Sequence, residues 1–193
     1  MNDEFPSDTP RLIIIGRQER GKGTDLLIQS LPLIVKDYPR ATLDVVGQGG
    51  ALSELRHLVA RMGLQERVKF HGEVDHKRVM TLLRQADLFC FPTSSEGFPK
   101  VVLEALACGL PVVSTRVSVL PQLITGCGVL VENNSPTEIA DAVRACLSDA
   151  AKYRSMSRKA LETARNYSLE RWRDTIGFLL RGAWGPLKTE APY

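Results

Sequence analysis

A doubly wound α/β domain, with six parallel strands, helices on both faces and a helical C-terminal tail, is what the order of apolar runs predicts for this 193-residue chain. Six short β-branched or apolar runs recur, bounded by Gly or Pro and mostly separated by segments of helix length. Runs such as Leu12-Ile13-Ile14-Ile15 and Leu88-Phe89-Cys90-Phe91 are apolar throughout instead of alternating, as in strands covered on both faces. Strands that alternate with helices in this way form a parallel sheet through crossover connections.

Along the chain the first strand is expected at Leu12–Ile15, ending at Gly16, with a helix over Asp25–Lys36 behind it. The second, Leu43–Val46, runs into Gly47-Gln48-Gly49-Gly50, a tight turn before a helix at Leu52–Arg61. Val68–Phe70 and a helix at Lys77–Gln85 come next. Leu88–Phe91 leads through a Ser- and Gly-containing loop to a helix at Val101–Ala107, with Pro99 suited to the first helical position. Val112–Ser114 and Val129–Val131 complete the sheet. From there the pattern is wholly helical: Ser135 or Pro136 through about Leu147, a second helix to about Arg165, and a third from Ser168. Ser168 with Glu170 and Arg171 reads as a capped start, and Trp172, Ile176, Leu179 and Leu180 fall on one face of that last helix. Residues 1–10 and 186–193 read as tails around a single domain at 11–185.

Composition narrows the function. Hydrophobic residues at 44% and charged residues at 24% suit an ordinary soluble core. The net charge of +3 comes from Lys and Arg scattered among nearly as many acids, which argues against a nucleic-acid partner. No apolar run approaches the roughly 20 residues needed to span a bilayer. The N-terminus has no basic segment followed by an apolar one, so it does not read as a secretory signal. Cys90, Cys108, Cys127 and Cys146 stand far apart with no CxxC spacing, as in reduced thiols of a cytoplasmic protein without disulfides or zinc.

In the common doubly wound order the first and fourth strands lie side by side, and ligands sit beyond their carboxyl ends. That placement brings Gly16-Arg17-Gln18-Glu19-Arg20-Gly21-Lys22-Gly23 against Pro92-Thr93-Ser94-Ser95-Glu96-Gly97-Phe98-Pro99. Arg17, Arg20 and Lys22 among glycines suit phosphate oxygens, Arg as a planar fork and Lys as a point charge. The Gly-x4-Gly-Lys spacing is one residue short of a Walker A loop, and Gly23 stands where Ser or Thr would hold magnesium, so a P-loop ATPase is the weaker reading. The N–H groups of Lys100, Val101 and Val102 at a helix start form an anion site with the helix dipole. Glu104 is the only charge in Val101–Val113; either ribose hydroxyls satisfy it, or it pairs with Lys100 at i,i+4.

Glu96-Gly97-Phe98-Pro99, followed by Val101, Val102, Leu103, Glu104, Ala105, Gly109, Pro111 and Val112, resembles the E-x7-E signature of retaining GT-B glycosyltransferases of family 4. Gly16-Arg17 with Lys22-Gly23, Val45-Val46-Gly47-x-Gly49, Val68-x-Phe70-x-Gly72 and Ala86-Asp87 are similar to further motifs of that family, over about residues 11–180. The resemblance implies a Rossmann-like donor domain, one half of a two-domain enzyme that transfers a hexose from a nucleotide-diphosphate sugar with retention. It implies that Arg17 and Lys22 contact the diphosphate, that Glu96 contacts sugar hydroxyls, and that Glu104 holds the ribose. It further implies that the amides of Gly97, Phe98 and Lys100 line the sugar and phosphate site, that the loop at His71, Gly72 and Val74 packs on the base, and that Gly16, Gly47 and Val101 also belong to the donor site. It also implies no cofactor and no metal in this domain. The partner would be an N-terminal acceptor half, fused or separate, through which the enzyme could sit at the inner face of a membrane. The chain departs from the family at Pro99, where Gly is commoner, and at Ser118-Val119 and Gln122, where a Gly-Gly pair and a Glu are usual. A non-catalytic subunit keeping only the scaffold is the other alternative.

Overall fold

The computed structural model describes residue 5 and residues 9–184, so the expected tail at 186–193 and most of that at 1–10 lie outside the described residues. The strands are β1 (Arg11–Ile15), β2 (Thr42–Val46), β3 (Val68–Gly72), β4 (Leu88–Phe91), β5 (Val112–Thr115) and β6 (Gly128–Val131). All pairs are parallel in a single sheet of order β3-β2-β1-β4-β5-β6, with β1 and β4 as neighbours. The helices are α1 (Thr24–Ile34), α2 (Leu52–Arg61), α3 (His76–Gln85), α4 (Lys100–Ala107), α5 (Leu120–Ile124), α6 (Pro136–Leu147), α7 (Ala150–Asn166) and α8 (Leu169–Trp184).

Successive side chains of a strand point to opposite faces, and β1 uses both. Leu12 and Ile14 join a core with Leu27 and Leu31 of α1, Leu55 of α2 and Ile139 and Val143 of α6. Ile13 and Ile15 join a second core with Leu82 of α3, Val102 and Leu106 of α4, and Leu123 of α5. That two-sided burial is why the strand carries no polar alternation. Helix α7 spans the two layers: Tyr153 and Met156 pack in the first and Ala160 in the second. Its Tyr153 hydroxyl donates to the Asp87 carbonyl at 2.8 Å, tying the helix to the start of β4.

The structure corrects the expected elements in three places. Pro99 is the N-cap residue of α4, at φ −83° and ψ 84°, and not its first helical residue. Helix α1 ends at Ile34, before the expected Lys36, where the Val35 N–H closes the last turn on the Leu31 carbonyl. Helix α5 was not expected at all; five residues are too few to display a helical period. The four cysteines are free, three of them buried. Burial pushes their thiols up, that of Cys146 to about 12, which makes them inert apolar filling. Among the described residues no helix is long and apolar enough to cross a membrane.

Candidate functional site

Strands β1 and β4 pair at Leu12↔Leu88 and Ile13↔Phe89, so both release their chain at the same edge of the sheet. Between the two loops lies a cleft of about 540 Å³. Of the residues expected at the site, Gly16, Arg17, Lys22, Glu96, Phe98, Lys100 and Val101 line it.

The loop after β1 is held by a residue that composition does not reveal. Gln18 is 1% exposed; its Nε2 donates to the carbonyls of Gly16 at 2.9 Å and Val46 at 3.0 Å, and its Oε1 accepts from the Thr24 hydroxyl at 2.7 Å. Its main chain bonds Gln48 and Ala51 in the loop after β2. On the other side, Ser94 donates to the Gly21 carbonyl through both its N–H, at 2.8 Å, and its hydroxyl, at 2.9 Å. Gly23 begins α1 at φ 76°, and a methyl group there would overlap the Pro92 carbonyl, so only glycine lets the two loops meet.

These ties separate the basic side chains. Arg20 turns away to Glu54 of α2 at 2.7 Å. Arg17 is exposed and makes no ion pair among the described residues. Lys22 crosses the cleft to Glu96 at 3.0 Å, with the two side chains 25% and 20% exposed, and reaches the Ser95 carbonyl at 3.3 Å. The other Glu96 oxygen accepts from the Gly97 N–H at 3.2 Å. The cleft lining thus carries three cations: Arg17 and Lys100, which make no ion pair among the described residues, and Lys22, which shares its ammonium with a carboxylate.

At the start of α4 the structure corrects the expected anion donors. The N–H groups of Lys100 and Val102 are taken up by the Phe98 and Pro99 carbonyls, at 3.1 and 3.0 Å. Glu104 lies one turn beyond Lys100. It pairs with His76 at the start of α3 at 3.3 Å, so the alternative of a Lys100–Glu104 pair gives way to one between helices.

Gly47 follows β2, Gly72 is the last residue of β3 and Val74 follows it, all outside the cleft lining. Gly47 donates to the Gly72 carbonyl at 2.7 Å, and a methyl group on it would overlap the Gly16 carbonyl. The His71 ring lies 2.6 Å from Asp44 and is 7% exposed, while Arg11 reaches the other Asp44 oxygen at 3.3 Å. What His71 can offer a base is therefore its main chain. Val74 packs against the core on the α3 and α4 face. The magnesium loop of a P-loop ATPase is not reproduced: Gly23 caps the helix, and the next hydroxyl, that of Thr24, is buried on Gln18.

Comparison with known proteins agrees with this arrangement. The family model described as glycosyl transferases group 1 matches residues 2–163. A D-inositol 3-phosphate glycosyltransferase of Xylanimonas cellulosilytica is 32% identical over 166 residues, 84% of this chain and 40% of that protein. The crystal structure of Anabaena Alr3699/HepE in complex with UDP and glucose superposes with a TM-score of 0.79 at 25% identity, over 90% of this chain and 48% of that one. The C-terminal domain of the group 1 family protein LpcC from Francisella tularensis superposes with a TM-score of 0.75 at 27% identity, over 83% of this chain and 87% of that domain. The chain spans less than half the length of the curated relatives it matches.

Proposed function

The chain belongs to the glycosyl transferases group 1 family, and on that premise we propose that it is the donor-binding half of a retaining glycosyltransferase. Its substrate is a nucleotide-diphosphate hexose, such as a UDP or GDP sugar. The carrying observation is the convergence of Arg17, Lys22 and Glu96 in a single cleft beyond the β1–β4 junction. Arg17, which makes no ion pair among the described residues, takes the diphosphate as a planar fork. Lys22 adds a point charge, and together they stabilise the negative charge that grows on the departing nucleotide, the work a metal does elsewhere. Glu96, held by Lys22, accepts from hydroxyls of the transferred sugar. Gly97, Phe98, Lys100 and Val101 wall the sugar and phosphates, and Gly16 gives them close backbone approach. Glu104, one turn on, accepts from the ribose, and the main chain at Gly47, His71, Gly72 and Val74 receives the base.

The acceptor binds a second half, fused to this one or encoded separately, and that half brings the enzyme to the cytoplasmic face of a membrane where the acceptor is a lipid. The isolated chain binds nucleotide weakly and transfers sugar poorly. Calorimetry with UDP, GDP and their hexose conjugates tests the reading. Metal-independent binding is expected, weakened about tenfold or more by R17A through loss of a charged hydrogen bond. Absence of binding to any nucleoside diphosphate at millimolar concentration would overturn it.

A further inference from the structure

Among the described residues two that are not glycine hold left-handed backbone angles, Ser118 at φ 51° and Asn134 at φ 48°. That conformation crowds Cβ against the following carbonyl, and it persists only where something else fixes it. Ser118 lies in the turn between β5 and α5, and Asn134 in the turn between β6 and α6. Both side chains donate into the segment that joins β4 to α4. Ser118 Oγ reaches the Gly97 carbonyl at 2.8 Å, and Asn134 Nδ2 the Pro92 carbonyl at 2.8 Å. Between them Ser114 Oγ donates to the Phe91 carbonyl at 2.6 Å and Thr115 Oγ1 to the Thr93 carbonyl at 2.5 Å. Four side-chain donors from the ends of β5 and β6 therefore grip carbonyls over residues 91–97.

The two outer members of this grip are the costly ones. Ser118 is exposed, so packing does not demand a side chain there. Asn134 also keeps its Oδ1 buried with no hydrogen-bond partner among the described residues, a second unfavourable feature at the same residue. Glycine would take either backbone angle without crowding, but it could not donate. What serine and asparagine add at these turns is the bond to the loop that carries Glu96.

We propose that Ser118 and Asn134 are positioning residues, whose left-handed backbones aim side-chain donors at the 92–97 loop and so preset Glu96 and Gly97 for the sugar of the donor. The inference rests on the donor-binding reading above. Ser118 closes on the residue next to Glu96, and Lys22 holds Glu96 from the opposite loop, so the carboxylate is fixed from both sides. A nucleoside diphosphate without a sugar would not sense the grip at Gly97.

The test compares the full chain with S118G, S118A and N134G. Alanine keeps the crowding and loses the donor, whereas glycine loses both, so S118G is expected to melt above S118A. In both Ser118 variants the amides of Ser95, Glu96 and Gly97 should exchange with solvent at least about fivefold faster, as a local opening. In N134G the same is expected at Thr93 and Ser94. In calorimetry S118G should lose about fivefold in affinity for the nucleotide hexose while keeping that for the bare diphosphate within about twofold. Unchanged exchange in S118G and S118A would overturn the grip; equal losses for both ligands would overturn its link to the sugar. If the parent chain binds no nucleotide diphosphate, the donor-binding reading falls, and with it the role assigned here, whatever exchange reports about the loop.

Discussion

Lys22 and Glu96 stand 3.0 Å apart, each side chain about three-quarters buried, so neither can be removed without leaving the other poorly compensated. The two substitutions should therefore diverge. Under the proposed function K22A loses a diphosphate contact and leaves the Glu96 charge facing the phosphates, so nucleotide binding should weaken. E96Q frees the ammonium of Lys22, so affinity for the bare diphosphate should rise by about threefold while transfer of the sugar falls, a split that titration and a turnover assay would separate. Gln18 belongs to a different kind of site residue. Q18A would strand the Thr24 hydroxyl and the Gly16 carbonyl, and leave the Val46 carbonyl with the Gly16 N–H alone; it is expected to cost about 2 kcal/mol in urea unfolding. Arg17, Lys22 and Glu96 were legible in the sequence because charges in a Gly-rich loop between apolar strands serve no packing need. Gln18 was not, because an amide among charged neighbours has no periodicity and no spacing to betray its burial. Glu104 was half legible: its isolation in an apolar helix signalled a partner, but a histidine from α3 cannot be read from spacing along α4.

Single helices obey local rules that the sequence states well. Ser135 accepts from the Glu138 N–H at 3.2 Å, and the Glu138 carboxylate reaches back to the N–H groups of Glu132 and Asn133, at 2.9 and 2.8 Å. This reciprocal cap fixes where β6 ends and α6 begins. The Asn133 side-chain amide, and then the main-chain donors, hold the Glu138 carboxyl below its usual value. The ionised form is thus favoured by the fold, so its contribution is present above the ordinary glutamate range and lost as pH falls through the depressed value. E138Q should flatten that part of the acid limb in a plot of unfolding free energy against pH. Asp75 caps α3 in the simpler way, accepting from the Arg78 N–H at 2.7 Å, and D75A should cost about 1 kcal/mol in the same measurement. What the sequence misplaced lies where helices are short or starts are irregular: α5 has five residues, and Pro99 spends its fixed φ on the cap instead of the first turn.

The strand order was readable at the scale of the molecule because parallel crossovers admit few arrangements, and the common one puts β1 beside β4. The C-terminal end follows a different logic. Phe178 and Leu179 of α8 are 72% and 61% exposed, while the side chain of Trp172, expected on one face with Ile176, Leu179 and Leu180, lies outside the described residues. Apolar residues left open on this helix suit the docking face for the acceptor half in the proposed function. The open face should make the isolated chain self-associate in sedimentation, and F178S combined with L179S should reduce that while leaving nucleotide affinity unchanged. The adjacency of β1 and β4 also governs how the protein comes into being. The loops that meet in the cleft are bridged by residues 74 positions apart. A growing polypeptide therefore carries β1 as a bare edge until the fourth strand has left the ribosome. During that interval the Gly21–Lys22 end of the loop after β1 lacks its partners Ser94 and Glu96, and the open β1 edge is a template on which a foreign strand can pair.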